Sequence, residues 1–358
     1  MRIVQKIFLS LTLSVLIHLN AQAYANNQHK IVEEMKTNPF LKAMKIVEGT
    51  VSILDSNCVV YSRIWCVYEL YKSLMGQNEK YKFDIYTDFS LNSALGITHG
   101  IRGMEGRFPI DRILKVIDID VVKAKASKLD DAKFIKNDIT GNDKDAEPLE
   151  SHSKYDELNM ILKSKFVAPV IHRIIYEVKD ETKVQLCLES FKNSKPRDIV
   201  LDFENCGRFN DDIAERLVDS LPPTLEKLWF FSNGSEITQN MIDSLPGMIL
   251  SKLPSLLEFI YSNINMSDDG AMQIAAIIST HTSLNHILLR KSKISDKGVI
   301  KLLEAIKVNK SMEHLELYNC EISHKGSQHI KKIEHKIRTH RKFELNLSID
   351  DDDVNLRF

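Results

Sequence analysis

Six short segments in the C-terminal half of the chain share one pattern of apolar residues. They start at residues 198, 225, 256, 284, 312 and 342, so the spacing is 27 to 31 residues. Each segment has an apolar residue at its fourth and sixth positions, as in "LEKLWFFSNG" and "MEHLELYNCE". This alternation predicts a short strand with one buried face, and a recurrence of this length predicts an array of structural repeats.

Helical segments between these strands complete the repeating unit. Three of them open with nearly the same phrase, "MSDDG", "ISDKG" and "ISHKG", which places Gly270, Gly298 and Gly326 at one shared position. A single strand and helix cannot bury their apolar face, so successive units must stack. The pattern therefore predicts an α/β solenoid over residues 198–349, with strands on its concave side and helices on its convex side.

These repeats resemble the long leucine-rich repeats of the ribonuclease-inhibitor type, which read roughly as LxLxxCxLxxxG. Cys206 and Cys320 fall at the small or cysteine position that ends each strand. The resemblance implies that both thiols are buried and inert.

Strand positions that alternate with the buried ones are expected to be exposed on the concave face, where large aromatic residues often mark binding. Trp229 and Phe231 have an alternative interpretation, in which they cap the solenoid or pack under a neighbouring loop. Ser262 and Leu288 belong to the same expected surface. The predicted partner-binding residues are Trp229, Phe231, Ile260, Arg290, Glu316 and Tyr318.

Residues 26–140 alternate between strand and helix patterns. "TVSILD" and "KFDIYTDF" predict strands, "NPFLKAMKIVEG" and "YSRIWCVYELYKSLM" predict helices, and Pro109 opens a region with at least two more helices. This alternation predicts a parallel sheet covered by helices on both faces. Residues 141–197 are polar and then helical, and they are predicted to be a linker or a cap of the solenoid.

One carboxylate, Glu69, interrupts the apolar segment "YSRIWCVYELYKS". On a helix, Ser62, Trp65, Glu69 and Lys72 are spaced by 3, 4 and 3 residues and form one stripe. Because this helix follows a strand, we expect the stripe at the carboxyl edge of the sheet, where open parallel sheets bind ligands. The alternative is an ion pair of Glu69 with Lys72, with Arg63 or with a residue of a neighbouring helix.

The strand, loop and S-x-x-W-C-x-x-E arrangement resembles the Toll/interleukin-1 receptor (TIR) domain, whose fold is flavodoxin-like. A group of proteins from diatoms, dinoflagellates and ciliates pairs a similar TIR-like segment with leucine-rich repeats, and the likeness covers roughly residues 23–165. In enzymatic members, the matching glutamate cleaves NAD at its nicotinamide–ribose bond. The resemblance implies this role for Glu69 only, with NAD as a substrate. A nearby ring could stack on the leaving base, so Trp65 is a candidate nucleotide-binding residue together with Ser62.

Residues 1–25 have the layout of a secretory signal peptide: basic residues, a short apolar run, and small residues that end at Ala25. Secretion or export is therefore expected, and a cytoplasmic protein is the alternative if this segment is retained. A TIR domain begins with a strand and a helix before the matched segment, so cleavage would leave the domain truncated.

Composition excludes several classes of function. The net charge of −1 indicates no nucleic-acid partner, and no later segment has the length of a membrane span. The five cysteines lack CxxC spacing and the histidines lack HxxxH spacing, so no metal site and no cofactor are predicted. Residues 350–358 are predicted to be an acidic tail.

Two functions follow from the sequence. The first is a protein-interaction scaffold that binds its partner on the concave face, with the TIR-like segment as a regulatory or self-association module. The alternative is an NAD-cleaving hydrolase that the repeats bring to its target.

Overall fold

The structure is a computed structural model, and it describes residues 39–75, 81–87, 95–97, 108–204, 206–233, 236–262 and 265–348. The chain divides into two compact units, residues 1–162 and 163–358. The predicted signal peptide and the predicted acidic tail lie outside the described residues. A search of the described helices finds none with the length and hydropathy that a membrane span requires.

The first unit combines a small sheet with helices. β1 and β2 are parallel, as the alternating pattern predicts, whereas the two-residue β3 pairs antiparallel with β2. The described part of this sheet therefore has three strands in the order β1-β2-β3 and is mixed rather than wholly parallel. The elements are α1 (Pro39–Met44), β1 (Gly49–Leu54), α2 (Ile64–Met75), β2 (Lys82–Thr87), β3 (Gly96–Ile97), α3 (Ile110–Ile117) and α4 (Leu129–Thr140).

The helix that carries Glu69, α2, begins three residues later than the sequence predicts. Residues Val59–Ser62 form a 3-10 turn, and Arg63 is extended with φ −101° and ψ 124°. The main chain around Arg63 pairs with Lys125, since Ile64 N donates to the Lys125 carbonyl and Lys125 N donates to the Ser62 carbonyl at 2.9 and 2.8 Å. This pairing uses the backbone in an extended form, so the helix cannot include Ser62.

The second unit is an α/β solenoid, as predicted. Its six described strands form one parallel sheet in chain order, and each helix between them packs against the next. The strands are β4 (Asp198–Phe203), β5 (Lys227–Ser232), β6 (Glu258–Ser262), β7 (His286–Arg290), β8 (His314–Tyr318) and β9 (Glu344–Ser348). α5 (Ser153–Val167) begins in the first unit and ends in the second. The helices that follow it are α6 (Ile171–Glu177), α7 (Glu181–Lys192), α8 (Asp211–Asp219), α9 (Gln239–Lys252), α10 (Asp268–Ile278), α11 (Asp296–Val308) and α12 (His324–Arg338).

The fourth and sixth positions of the repeats form the core of the solenoid. In the first five repeats these side chains are at most 2% exposed, so the period-two prediction is confirmed. In the sixth repeat, Leu345 and Leu347 are half-buried, and no described strand follows β9 to cover them. Cys206 and Cys320 are buried free thiols, in agreement with the sequence analysis.

The recurring phrase before the helices has a structural role that links successive repeats. Ser295 caps α11, and its N–H and hydroxyl both donate to the Asp268 carboxylate of the previous helix at 2.8 and 2.6 Å. Asp296 accepts the same two bonds from Ser323, the cap of α12, at 2.9 and 2.6 Å. A helix start otherwise has unsatisfied N–H groups, so each carboxylate stabilises the beginning of the next helix. We call this arrangement the cap ladder.

The shared glycine of the phrase makes room for the cap ladder. A Cβ at Gly298 would lie 2.5 Å from Oδ1 of Asp268, which is closer than side-chain atoms approach. At Gly326, a Cβ would overlap the Asp296 carboxylate. Glycine is therefore required here by the neighbouring repeat, although glycine disfavours a helix interior.

Two further features of the second unit concern its helices. α9, between β5 and β6, has a weak helical pattern in the sequence, because it contains Pro246 and Gly247, which are poor helix residues. α6 packs against β4, and α7 lies beside α8. Helical residues thus lie next to the first repeat, in the region where the sequence predicts a linker or cap.

Candidate functional site

The side chains on the outer side of the solenoid sheet form three parallel rows, which we call the strand face. The register places residues directly opposite each other on neighbouring strands. The first row contains Asp198, Lys227, Glu258, His286, His314 and Glu344. The second row contains Val200, Trp229, Ile260, Leu288, Glu316 and Asn346, and the third contains Asp202, Phe231, Ser262, Arg290 and Tyr318.

Most of the predicted partner-binding residues are partly exposed on this face. Trp229, Phe231, Arg290, Glu316 and Tyr318 are all half-buried. Each therefore retains a surface that another molecule can contact. Their position on the strand face agrees with the alternation, while their role in binding stays a prediction.

Three residues of the expected surface are buried, and the expectation of exposure is wrong for them. Ile260 and Leu288 are each 4% exposed, and Ser262 is 1% exposed. Ile260 lies between Trp229 and Leu288 in its row, and an aliphatic side chain is too short to extend beyond the neighbouring indole. These residues form the floor of the strand face, so Ile260 cannot be a leading contact.

A hydrogen-bonded network of charged and aromatic residues crosses the strand face. Nε2 of His286 lies 2.9 Å from Oε1 of Glu316, and Nδ1 of His286 lies 3.7 Å from Oε2 of Glu258. The Trp229 indole donates to Glu258, and the Tyr318 hydroxyl donates to Glu316 at 2.6 Å. This network fixes two aromatic side chains in place before any partner arrives, which lowers the entropy cost of binding.

The electrostatics of this network favour a charged histidine. Burial works against the imidazolium, but the two neighbouring carboxylates outweigh burial and raise the pKa of His286 to about 9. The neighbouring His286 lowers the pKa of Glu258 to about 2, despite partial burial. His286, Glu258 and Glu316 together therefore carry one net negative charge at neutral pH.

Sequence reasoning missed Glu258 and His286, although a signal was present. Because the fourth and sixth positions of each segment are buried, the same alternation predicts that the third position faces outward. That position carries Lys227, Glu258, His286 and His314 in four successive repeats. A charged row of this kind beside aromatic residues could have been recognised before the structure was known.

The predicted site in the first unit is only partly assembled. The indole of Trp65 donates to Asp131 of α4 at 3.0 Å, and Lys72 forms an ion pair with Asp138 of the same helix at 2.8 Å. The Ser62 hydroxyl donates to the Val59 carbonyl within its own turn at 2.8 Å. The predicted single stripe is therefore divided: Trp65 and Lys72 bind α4, and Ser62 lies outside the helix.

Glu69 has the most unusual environment of the predicted residues. Its side chain is half-buried, and it forms no hydrogen bond or ion pair within the described part of the chain. Burial raises the pKa of Glu69 to about 7, although nearby Arg63 lowers it. The predicted ion pair with Lys72 is not formed, because Lys72 binds Asp138. A carboxyl group with this pKa can donate or accept a proton near neutral pH.

An open depression lies near the start of α2, and Glu69 is not among the residues that line it. Ser62, Arg63, Lys123 and Lys125 contribute to its lining, so its surface is cationic. Burial raises the pKa of the Cys66 thiol to about 11, which makes this cysteine a poor nucleophile. Within the described ranges, no three His, Cys, Asp or Glu side chains are grouped as metal ligands.

Comparison with known proteins leaves the chain without a family assignment. No family model matches it, and no curated protein matches it. One similar solved structure is "Leiomodin-1 Actin-Binding Site 2 (ABS2)", with 17% sequence identity over 45% of this chain and 78% of that chain, and a TM-score of 0.30. A likeness at this TM-score supports no argument about function, so the function must be argued from the geometry of this chain's own surfaces.

Proposed function

We propose that the protein is an interaction scaffold that binds a protein partner on the strand face of its solenoid. The observation that carries this proposal is the set of half-buried aromatic side chains, Trp229, Phe231 and Tyr318, on one continuous sheet surface. Aromatic residues provide large contact areas at a low entropy cost, and they dominate the energetics of many interfaces.

The rigidity of the surface supports the same proposal. Trp229 and Tyr318 are each hydrogen-bonded to a glutamate of the His286 network, so their orientations are fixed. Ile260 and Leu288 lie in the same row as Trp229, and because both are buried they form an apolar floor. An apolar centre with a polar border is the usual arrangement of a protein-binding surface.

Affinity capture with matched variants tests this proposal. The full chain, the double variant Phe231→Ala/Tyr318→Ala and the control Tyr176→Ala are immobilised, and captured proteins are quantified by mass spectrometry. Tyr176 is an aromatic residue of α6 outside the strand face and is 50% exposed. We expect the double variant to lose proteins that the control retains. Equal capture by all three would refute binding at the strand face.

The second candidate function is cleavage of NAD, and the environment of Glu69 favours it. A half-buried carboxyl group without a partner can stabilise the positive charge that develops on a ribose during glycosidic cleavage. Arg63 is close enough to lower the pKa of Glu69, and the same arginine belongs to the cationic depression. Phosphate groups of a dinucleotide would suit that depression.

Nicotinamide release tests this second candidate. Purified protein is incubated with NAD, and nicotinamide is quantified by chromatography for the full chain, Glu69→Gln and Glu157→Gln. Glu157 is an exposed carboxylate of α5 and serves as the matched control. We expect release by the full chain and the control, and loss of release in Glu69→Gln. Absence of release from the full chain would reject the enzyme hypothesis.

A further inference from the structure

Arg290 is an exception among the charged residues at the centre of the strand face. Lys227 lies 3.7 Å from Glu258, and His286 lies between Glu258 and Glu316. Arg290 is half-buried as well, yet it forms no ion pair or hydrogen bond with any residue that the structure describes. A guanidinium group is always charged, and partial burial without a partner is unfavourable.

The residues around Arg290 leave its charge available. On neighbouring strands it lies opposite Ser262 and Tyr318. Ser262 is buried and small, so it does not cover the guanidinium group. The Tyr318 hydroxyl already donates to Glu316. The third row thus presents an unpaired cation between two half-buried aromatic residues, Phe231 and Tyr318.

We propose that Arg290 binds an aspartate or glutamate side chain of an extended segment in the protein partner. This inference rests on the proposed scaffold function and names the chemistry that the strand face selects. The planar guanidinium group matches a carboxylate with two parallel hydrogen bonds, and partial burial strengthens that pair. Phe231 and Tyr318 would contact apolar residues on either side of the acidic one.

The carboxylates of the strand face disfavour a polyanionic ligand. Glu258 lies in the first row and Glu316 in the second, and His286 lowers the pKa of both carboxyl groups, so both are charged at neutral pH. A nucleic acid or a run of phosphate groups would place several negative charges near these carboxylates, which costs binding energy. A single carboxylate flanked by apolar residues places only one charge on the surface, directly at Arg290.

Peptide selection identifies the probe for this proposal. A phage library of random peptides is selected on the immobilised full chain, and the enriched peptide is synthesised with a fluorescent label. We expect enriched peptides to share one Asp or Glu next to apolar residues. Enrichment without a common acidic residue, or no enrichment at all, would overturn the proposal.

Affinities for the labelled peptide then locate the contact. Arg290→Met keeps most of the side-chain volume and should weaken binding at least tenfold, whereas Arg290→Lys should give an intermediate loss. The matched control is Lys291→Met, which removes a positive charge from the next residue, an exposed one. Replacing the peptide's acid by its amide should weaken binding to the full chain but hardly affect binding to Arg290→Met.

The outcomes separate this inference from the scaffold proposal. If Tyr318→Ala abolishes peptide binding while Arg290→Met binds normally, the strand face binds partners but Arg290 does not anchor them. If neither variant affects binding, both proposals fail. An equal loss in Lys291→Met and Arg290→Met would indicate a general charge effect and would also overturn the assignment of Arg290.

Discussion

The cap ladder makes the stability of one helix depend on a carboxylate in the previous repeat. Asp268 accepts three bonds from the start of α11: from Ser295 N at 2.8 Å, from Ser295 Oγ at 2.6 Å and from Gly298 N at 3.1 Å. Replacement of Asp268 by alanine removes all three bonds and leaves two backbone N–H groups without this acceptor. We expect this substitution to be among the most destabilising polar changes in the solenoid.

The magnitude follows from the number and type of bonds. A hydrogen bond to a charged group contributes about 1.5–3 kcal/mol, and several bonds to one carboxylate do not add fully. Ser295 and Asp268 are half-buried, so water replaces part of what is lost. We therefore expect Asp268→Ala to lower the free energy of unfolding by about 2–4 kcal/mol.

The neighbouring residue Asp269 offers a matched control. Asp269 is exposed, lies in the same first turn of α10, and its carboxylate forms no hydrogen bond within the described residues. Both substitutions remove a negative charge near the helix N-terminus, which contributes about 0.3–1 kcal/mol. The difference in unfolding free energy between Asp268→Ala and Asp269→Ala therefore measures the contribution of the cap ladder.

Urea unfolding followed by fluorescence measures this difference. The chain has two tryptophans, so a Trp65→Phe background leaves Trp229 of the solenoid as the single fluorescent reporter. Far-UV circular dichroism shows whether the repeats unfold together, since repeat arrays can lose cooperativity. Equal unfolding free energies for the Asp268 and Asp269 variants would refute the argument that the cap ladder stabilises the array.

Three further changes test other parts of the structure. Gly326→Ala should destabilise the solenoid by about 1–3 kcal/mol in urea unfolding, because the added Cβ overlaps the Asp296 carboxylate. The charged His286 should stabilise the folded state fully below its ordinary pKa of 6.5, and this stabilisation should disappear as the pH rises through the folded pKa of about 9. His286→Gln should lack this pH dependence in unfolding measured between pH 6 and 10. In the full chain, the raised pKa of Glu69 should make the folded state less stable as the pH rises from 4.5 to 7, because the folded protein favours the protonated carboxyl group. Glu69→Gln should abolish this loss of stability, which unfolding of the first unit followed by tryptophan fluorescence measures.

Each of these changes has a clear contrary result. An alanine at position 326 that raises stability would mean that helix propensity exceeds the steric effect of Asp296. If His286→Gln showed the same pH dependence of stability as the full chain, the charged form of His286 would not stabilise the folded state. A Glu69→Gln variant with an unchanged pH profile would show that the Glu69 carboxyl group titrates at its ordinary pKa.

The sequence predicted the repeating architecture because its information is local. Alternating apolar residues define the buried face of each strand, and the recurrence of that pattern defines the array. Exposure at a single position was harder to predict. Ile260 occupies an outward position by alternation, yet it is buried because Trp229 and Leu288 flank it on neighbouring strands. Burial of that kind depends on side-chain size in other repeats.

The candidate site of the first unit shows the same limit more strongly. A regular helix would align Ser62 with Glu69, but backbone pairing of Arg63 with Lys125 delays the start of α2. Lys72 has Glu69 three residues away, yet it pairs with Asp138 on another helix. Such partners are distant in sequence, so spacing rules on one helix cannot identify them.

The cap ladder also determines where a further repeat could be added to the array. α10 and α11 begin with an aspartate that holds the start of the following helix, whereas the first residue of α12 is His324. If an inner repeat were duplicated, the aspartate of the preceding repeat would accept the hydrogen bonds from its helix cap, and its own aspartate would do the same for the next repeat. A repeat joined after α12 would find an imidazole there, and a His324→Asp change would have to accompany it. Lengthening of this solenoid is therefore easier from within than at that end.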